Sequence, residues 1–98
     1  MRYKVLWTPH ATAQLNNAYN YIVRDSILNA EKVRRELLAA SLKLSSHPER
    51  HPLDKDKANN NRNFRCFILH NYRVSYLVEG AEVVILRFRH TSMDSLKY

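Results

Sequence analysis

Between residues 71 and 90 (NYRVSYLVEGAEVVILRFRH) apolar side chains recur at every second position. Tyr72, Val74, Tyr76 and Val78 alternate with Arg73, Ser75 and Leu77, which predicts a strand with one buried face. Glu79-Gly80 interrupts the run. Gly80 is the only glycine of the chain, and it can take the positive φ of a tight hairpin at low steric cost. Val84, Leu86 and Phe88 then alternate with Val83, Ile85, Arg87 and Arg89. The second strand is therefore expected to be apolar on one side, while its other side turns from apolar to cationic as it approaches His90.

The N-terminal half follows a different period. Tyr3, Val5 and Trp7 alternate with Lys4, Leu6 and Thr8 and predict a short opening strand. Thr8-Pro9 reads as an N-cap followed by proline at the first helical position, where its missing N–H costs nothing. Ala11, Leu15, Ala18, Tyr19 and Ile22 recur at helical spacing to about Arg24, giving an amphipathic helix. Residues 25–29 form a polar turn, with Asn29 as the expected cap of a second helix. Ala30, Val33, Leu37, Ala40 and Leu44 make its buried stripe, and Leu38 and Leu42 widen it. The short connection predicts an antiparallel helical hairpin. Ser45-Ser46-His47-Pro48 ends it, because proline disfavours helix in the residue before it.

Residues 49–63 (ERHPLDKDKANNNRN) carry no periodic apolar face. A loop of that length in a small domain is either mobile or functional. Phe64 to Leu69 restores a strand pattern, and His70-Asn71 is a two-residue turn into the hairpin. The order is strand, two helices, three strands. It predicts an α+β domain of two layers, an antiparallel sheet covered on one face by the N-terminal helical hairpin, with the other face available to a partner.

Composition narrows the class. Ninety-eight residues make one domain, here residues 1–98. No apolar run reaches the roughly 18 residues of a membrane span, and the first residues lack the apolar core of a signal peptide. The single cysteine, Cys66, has no partner for an internal disulfide and reads as a small buried hydrophobe. These points favour a cytoplasmic protein. The net charge of +7, from 16 basic and 9 acidic side chains, implies an acidic partner such as a nucleic acid or an anionic protein segment.

The sequence offers little ready-made chemistry. His47 and His51 stand four apart with Pro48 between them, so no metal site is expected. One glycine excludes a Gly-rich phosphate loop, and no cofactor is implied. What remains is a cationic set: Arg62, Arg65, Arg73, Arg87, Arg89 and His90, with Tyr98 in the tail. Metal-independent RNA cleavage needs a base for the 2′-hydroxyl, cations for the phosphorane charge and an acid for the leaving oxygen. Arginines supply the second role, and His90 or Tyr98 one of the others. The same residues equally make a binding surface with no chemistry.

The opening YKVLWTPHATAQL, the segment AYNYIV, Arg65 with the NYRVSY block, and the closing VVILRFRHTSMD together resemble the RelE/ParE superfamily of toxins from type II toxin–antitoxin systems. The resemblance spans nearly the whole chain. It implies a first strand placed beside the last, and neutralisation by a co-expressed antitoxin whose segment wraps the toxin. Operator DNA would be bound only through that antitoxin. RelE-like members cleave mRNA on the ribosome, and for that branch the resemblance implies Arg65, Arg87, Arg89, His90 and Tyr98 as site residues. The branch's arginine after the last strand is replaced here by Thr91 or Ser92, and its lysines have only loose counterparts in Lys55 and Lys57. ParE-like members instead poison DNA gyrase. The HTSMD ending and the two-helix block are more similar to the ParE branch.

Overall fold

The computed structural model describes residues 2–92. Strand β1 (Lys4–Trp7) leads into helices α1 (Pro9–Val23) and α2 (Ile27–Leu42), the latter closed by a 3-10 turn, Lys43–Ser45. Strands β2 (Phe64–Leu69), β3 (Tyr72–Glu79) and β4 (Glu82–His90) follow. The sheet order is β1-β4-β3-β2. β2, β3 and β4 pair antiparallel in sequence, and β1 lies parallel to β4, so the expected antiparallel sheet is closed on one side by a parallel strand. The first strand does lie beside the last.

Each turn has the backbone its residues favour. His70 and Asn71 both hold positive φ, 54° and 65°, the pattern of the tight two-residue hairpin. Gly80, at φ 60°, opens the turn between Glu79 and Glu82. Thr8 caps α1, its Oγ1 accepting from the Ala11 N–H at 3.1 Å, with Pro9 in the first turn. α2 begins earlier than its apolar stripe suggests. Ser26, extended at φ −159°, accepts from the Asn29 N–H at 3.1 Å and replaces Asn29 as the cap. The added first turn carries exposed Ile27 and Leu28, which lie outside the buried stripe and so left no periodic mark.

The core lies between the helical hairpin and one sheet face. Ala11 and Leu15 of α1, and Val33 and Leu37 of α2, meet Val74 and Tyr76 of β3 and Val83 and Ile85 of β4. Tyr3, Val5 and Trp7 pack against the same cluster. The α2 stripe differs in two places. Leu42 is 64% exposed, whereas Ser41 is buried with its Oγ donating to the Leu38 carbonyl at 2.8 Å. A satisfied hydroxyl can take a core position without the cost of an unpaired polar group.

Two features depart further from the simple pattern. In β4 the buried residues are Val83, Ile85 and Phe88, so the alternation expected along Val84, Leu86 and Phe88 does not hold. The register explains it. Tyr76 pairs with Ile85 but Ser75 pairs with Arg87, leaving Leu86 as the extra residue of a β-bulge. The bulge shifts the phase by one, which keeps Phe88 in the core and sends Arg87 and Arg89 to the outer face. The second departure is on that outer face, which is not open along its length. Phe64, Cys66, Ser75 and Leu77 are buried there by the loop of residues 46–63. Leu53 bridges to Arg65 along the edge of β2, with the Asp54 N–H donating to the Phe64 carbonyl at 2.9 Å. Asn60 brackets Phe64, its Nδ2 donating to the Phe64 carbonyl at 3.0 Å.

Candidate functional site: a cleft between α1 and β4

β1 pairs with β4 only as far as Trp7 opposite Ile85, while β4 continues to His90. Past that point α1 takes the place of a neighbouring strand. Gln14 makes the joint, its Oε1 accepting from the Phe88 N–H at 2.8 Å. A helix cannot sit as close to a strand edge as another strand does. A cleft of about 600 Å³ results, lined by Gln14, Asn17 and Tyr21 of α1 and by Tyr72, Phe88 and His90 of the sheet. That volume is in the range of sites that seat a side chain or a small ligand.

The floor is aromatic. Tyr72 and Phe88 are diagonal neighbours across β3 and β4, and their rings stack at 4.7 Å and 13°. His90 pairs with Tyr72 in register and meets its ring edge-on at 5.1 Å. Burial raises the Tyr72 phenol above its ordinary range, with Tyr21 adding to the effect, so it stays a neutral donor. The His90 ring is oriented from the following turn. The Ser92 N–H donates to His90 Nδ1 at 3.0 Å, and Ser92 Oγ lies 2.7 Å from the same nitrogen. A backbone donor at Nδ1 makes that nitrogen the acceptor and leaves Nε2 to carry the proton of the neutral ring. Tyr21 forms the opposite wall and is 67% exposed.

The cationic set does not converge on this cleft. Arg87 and Arg89 share the outer face, opposite Ser75 and Arg73, with Arg89 at the cleft rim. Arg65 lies elsewhere, opposite Tyr76, one strand over and four positions along from the Tyr72–His90 pair. Its guanidinium is held locally. Nε donates to Asn63 Oδ1 at 2.6 Å, Nη1 donates to the His51 carbonyl at 2.6 Å, and Nη2 lies 3.6 Å from Glu49 Oε2. Arg62 is ion-paired with Glu79. Tyr98 lies outside the described residues.

Arg73 is the most strongly tied of the set. Nη2 donates to Asp54 Oδ1 at 2.9 Å, and Nε lies 3.3 Å from Asp56 Oδ2 without the alignment of a hydrogen bond. Burial works against the charge, but Asp54 and Asp56 outweigh it and hold the guanidinium pKa above its ordinary value. The same carboxylates place negative charge where Arg73 faces Arg89 across the sheet. Like charges directly opposite would otherwise destabilise the pair. Burial pushes the Cys66 thiol up, as for an inert core residue. Burial, with Arg50 beside it, lowers the His51 pKa, and its neutral ring lies tilted against Phe67, centroids 5.1 Å apart.

Sequence reasoning missed Asp54, Asp56, Gln14 and Tyr21. The two aspartates sit in a polar loop without period, and Gln14 and Tyr21 lie off the helical stripe. Nothing local distinguishes such positions from ordinary solvated ones.

The family model that describes the ParE toxin of the type II toxin–antitoxin system parDE matches residues 5–95. The chain belongs to the ParE toxin family. The solved chromosomal ParDE toxin–antitoxin system from P. aeruginosa contains a chain similar in fold to this ParE-family protein, with a TM-score of 0.73 at 20% identity over 93% of this chain and 98% of that one. The YoeB dimer from Staphylococcus aureus is similar at a TM-score of 0.56 and 16% identity, covering 92% of this chain and 98% of that one. The conserved hypothetical protein HP0894 from Helicobacter pylori gives 0.57 and 20%, covering 94% and 97%. A search of curated protein sequences finds no significant match. At these identities the structural likenesses speak for the fold, and the family rests on the sequence model.

Proposed function

We propose that this ParE-family toxin acts by binding DNA gyrase in the cytoplasm rather than by cutting RNA, and that a co-expressed antitoxin neutralises it. Operator DNA would be reached only through that antitoxin. The observation that carries the reading is the position of Arg65. A nuclease of this fold would need it as a free cation for the phosphorane, yet here its guanidinium is consumed by Asn63, Glu49 and the His51 carbonyl. Arg73 and Arg62 are likewise engaged by carboxylates. Withdrawing a guanidinium from such a pairing costs the pair's own stabilisation before any substrate is bound.

An alternative reading keeps ribosome-dependent mRNA cleavage, and one observation favours it. His90, with Nε2 carrying the proton of the neutral ring, lies next to Arg89 at the cleft rim. That arrangement would offer a proton donor near a cation. The two readings part in one experiment. Purified toxin is assayed in parallel for inhibition of gyrase supercoiling and for cleavage of mRNA on translating ribosomes. Inhibition of supercoiling with intact mRNA is expected. Cleaved mRNA with unaffected gyrase would establish the alternative.

A further inference from the structure

Gln14, Asn17 and Tyr21 stand three and four apart on α1, so their side chains share the helix face that lines the cleft. Ala18 lies among them, and its small side chain leaves room beside the floor. The cleft also holds hydrogen-bonding capacity that the fold does not use. With Gln14 Oε1 accepting from the Phe88 N–H, the two Nε2 hydrogens of Gln14 remain as donors. His90 keeps its Nε2 proton on the side of the ring away from Ser92. Tyr72 is only 8% exposed, yet among the described residues its hydroxyl has no hydrogen-bond partner. A buried phenol ordinarily finds one, so this group points to a ligand.

The open aromatic surface belongs to Tyr21. Tyr72 and Phe88 stack on each other at 4.7 Å, whereas Tyr21 on the opposite wall is 67% exposed. A flat ligand can lie on Tyr21 while its edge meets the polar groups of the floor. An apolar side chain of a partner protein can use the same floor, but it leaves Gln14, Tyr72 and His90 unmatched. A nucleobase presents both a stacking face and an edge of donors and acceptors. Arg89 puts positive charge at the rim, on a chain of net charge +7, and this suits the phosphate attached to such a base. A base inside a duplex has its pairing edge occupied and both faces covered, so only an unpaired nucleotide can enter.

We infer that the cleft between α1 and β4 binds one unpaired nucleotide, its base stacked on Tyr21, its edge on Gln14, Tyr72 and His90, and its phosphate towards Arg89. The nucleotide is held without any bond being broken. A free nucleoside monophosphate and an unpaired nucleotide of a DNA strand carry the same chemistry. The inference goes beyond the gyrase reading and does not depend on it.

Purified toxin is titrated at fixed salt with adenosine 5′-monophosphate, a short single-stranded oligodeoxyadenylate, an abasic strand of equal length and the corresponding duplex. Ring-proton shifts of Tyr21 and His90 and the anisotropy of labelled strands report binding. Saturation by the mononucleotide assigns a free nucleotide as ligand, and saturation by the oligonucleotide alone assigns a DNA strand; either supports the inference. Tyr21→Ala, at an exposed position, weakens binding by about tenfold or more, the loss of one base stack, and Tyr21→Phe binds as the parent does. Tyr72→Phe keeps the stacked ring, removes only the hydroxyl and weakens binding by about two- to tenfold. An abasic strand or duplex that binds as tightly as the oligonucleotide would reduce the effect to attraction between phosphates and a basic protein, and overturns the inference. Binding untouched by Tyr21→Ala, or no saturable binding of either nucleotide probe, overturns it as well. The gyrase assay is decided separately from all of these.

Discussion

Asp54 Oδ1 accepts from Arg73 Nη2 at 2.9 Å, joining the loop before β2 to the start of β3. The Asp54 side chain is fully buried, and that of Arg73 is 22% exposed. Oδ1 also accepts from the Asp56 N–H at 3.0 Å, so one carboxylate both folds the loop back and neutralises the arginine. A segment with no apolar period is thereby held against the sheet by charge. Asp54→Ala should lower unfolding stability by about 3 kcal/mol, because it leaves a largely buried guanidinium without its main partner. Replacing both residues, Asp54→Ala with Arg73→Met, should cost less than Asp54→Ala alone. Urea denaturation of the two variants decides it, and a double variant no more stable than Asp54→Ala would show that the unpaired guanidinium is not the source of the loss.

Tyr76 gives a pH dependence with a definite sign. Its hydroxyl donates to the Pro48 carbonyl at 2.7 Å, and burial pushes its pKa up from 10 to about 12. The folded state thus holds this proton more tightly than the unfolded state. The stabilisation is fully present below about pH 10 and is lost as pH rises towards 12. Tyr76→Phe should cost about 1–3 kcal/mol at neutral pH by leaving the carbonyl unpaired. It should also flatten the stability profile between pH 10 and 12, measured by denaturation across that range. A profile unchanged by the substitution would remove Tyr76 from the account.

The β4 bulge is tested by deletion. Removing Leu86 takes out the extra residue, so Ile85 and Arg87 become consecutive partners of Tyr76 and Ser75, with Phe88 still inward and Arg87 and Arg89 still outward. That variant should fold with the native circular dichroism spectrum. Removing Leu86 and Arg87 together turns Phe88 to the outer face and Arg89 to the core face, and that variant should fail to fold. A single deletion that unfolds the protein would show that the bulge itself is required.

The functional reading is tested at His90 and Tyr98. If the toxin binds gyrase without chemistry, His90→Ala and Tyr98→Ala leave growth inhibition largely intact, since no proton transfer depends on them. Loss of a general acid or base would instead reduce mRNA cleavage by about 10²–10⁴-fold. Growth arrest and RNA cleavage are measured together, with folding verified by antitoxin binding. A folded variant that binds ribosomes and no longer cuts mRNA would reverse the assignment.

Salt separates the two components of antitoxin binding. Rim ion pairs mainly speed association, whereas buried apolar anchors set dissociation. The aromatic floor of Tyr72 and Phe88 offers such an anchor site. The complex should therefore survive about 1 M salt, where the Debye length is about 3 Å, with slowed association as the main change. Complete dissociation there would leave charge alone holding it.

Much of the molecule was legible in the amino-acid order, because local rules wrote it there. Thr8-Pro9 starts a helix wherever it precedes a helical stripe, and His70-Asn71 and Gly80 are residues that tolerate the backbone of a tight turn. Alternation along β1 and β3 named the side of each strand that meets the helical hairpin, since the helices cover that face. The resemblance added the family, and the family model agrees. What only the tertiary structure decided depends on contacts between distant segments. The bulge at Leu86 is a mismatch between two strands, so no single-strand pattern contains it. Asp54 and Arg73 are 19 residues apart and meet only once the loop is laid across the sheet. That meeting, with the Asn63 and His51 contacts of Arg65, turned an apparent cationic site into internal ion pairs and hydrogen bonds. A charge's role depends on which groups surround it at a few ångströms, and that spacing exists only in the folded chain.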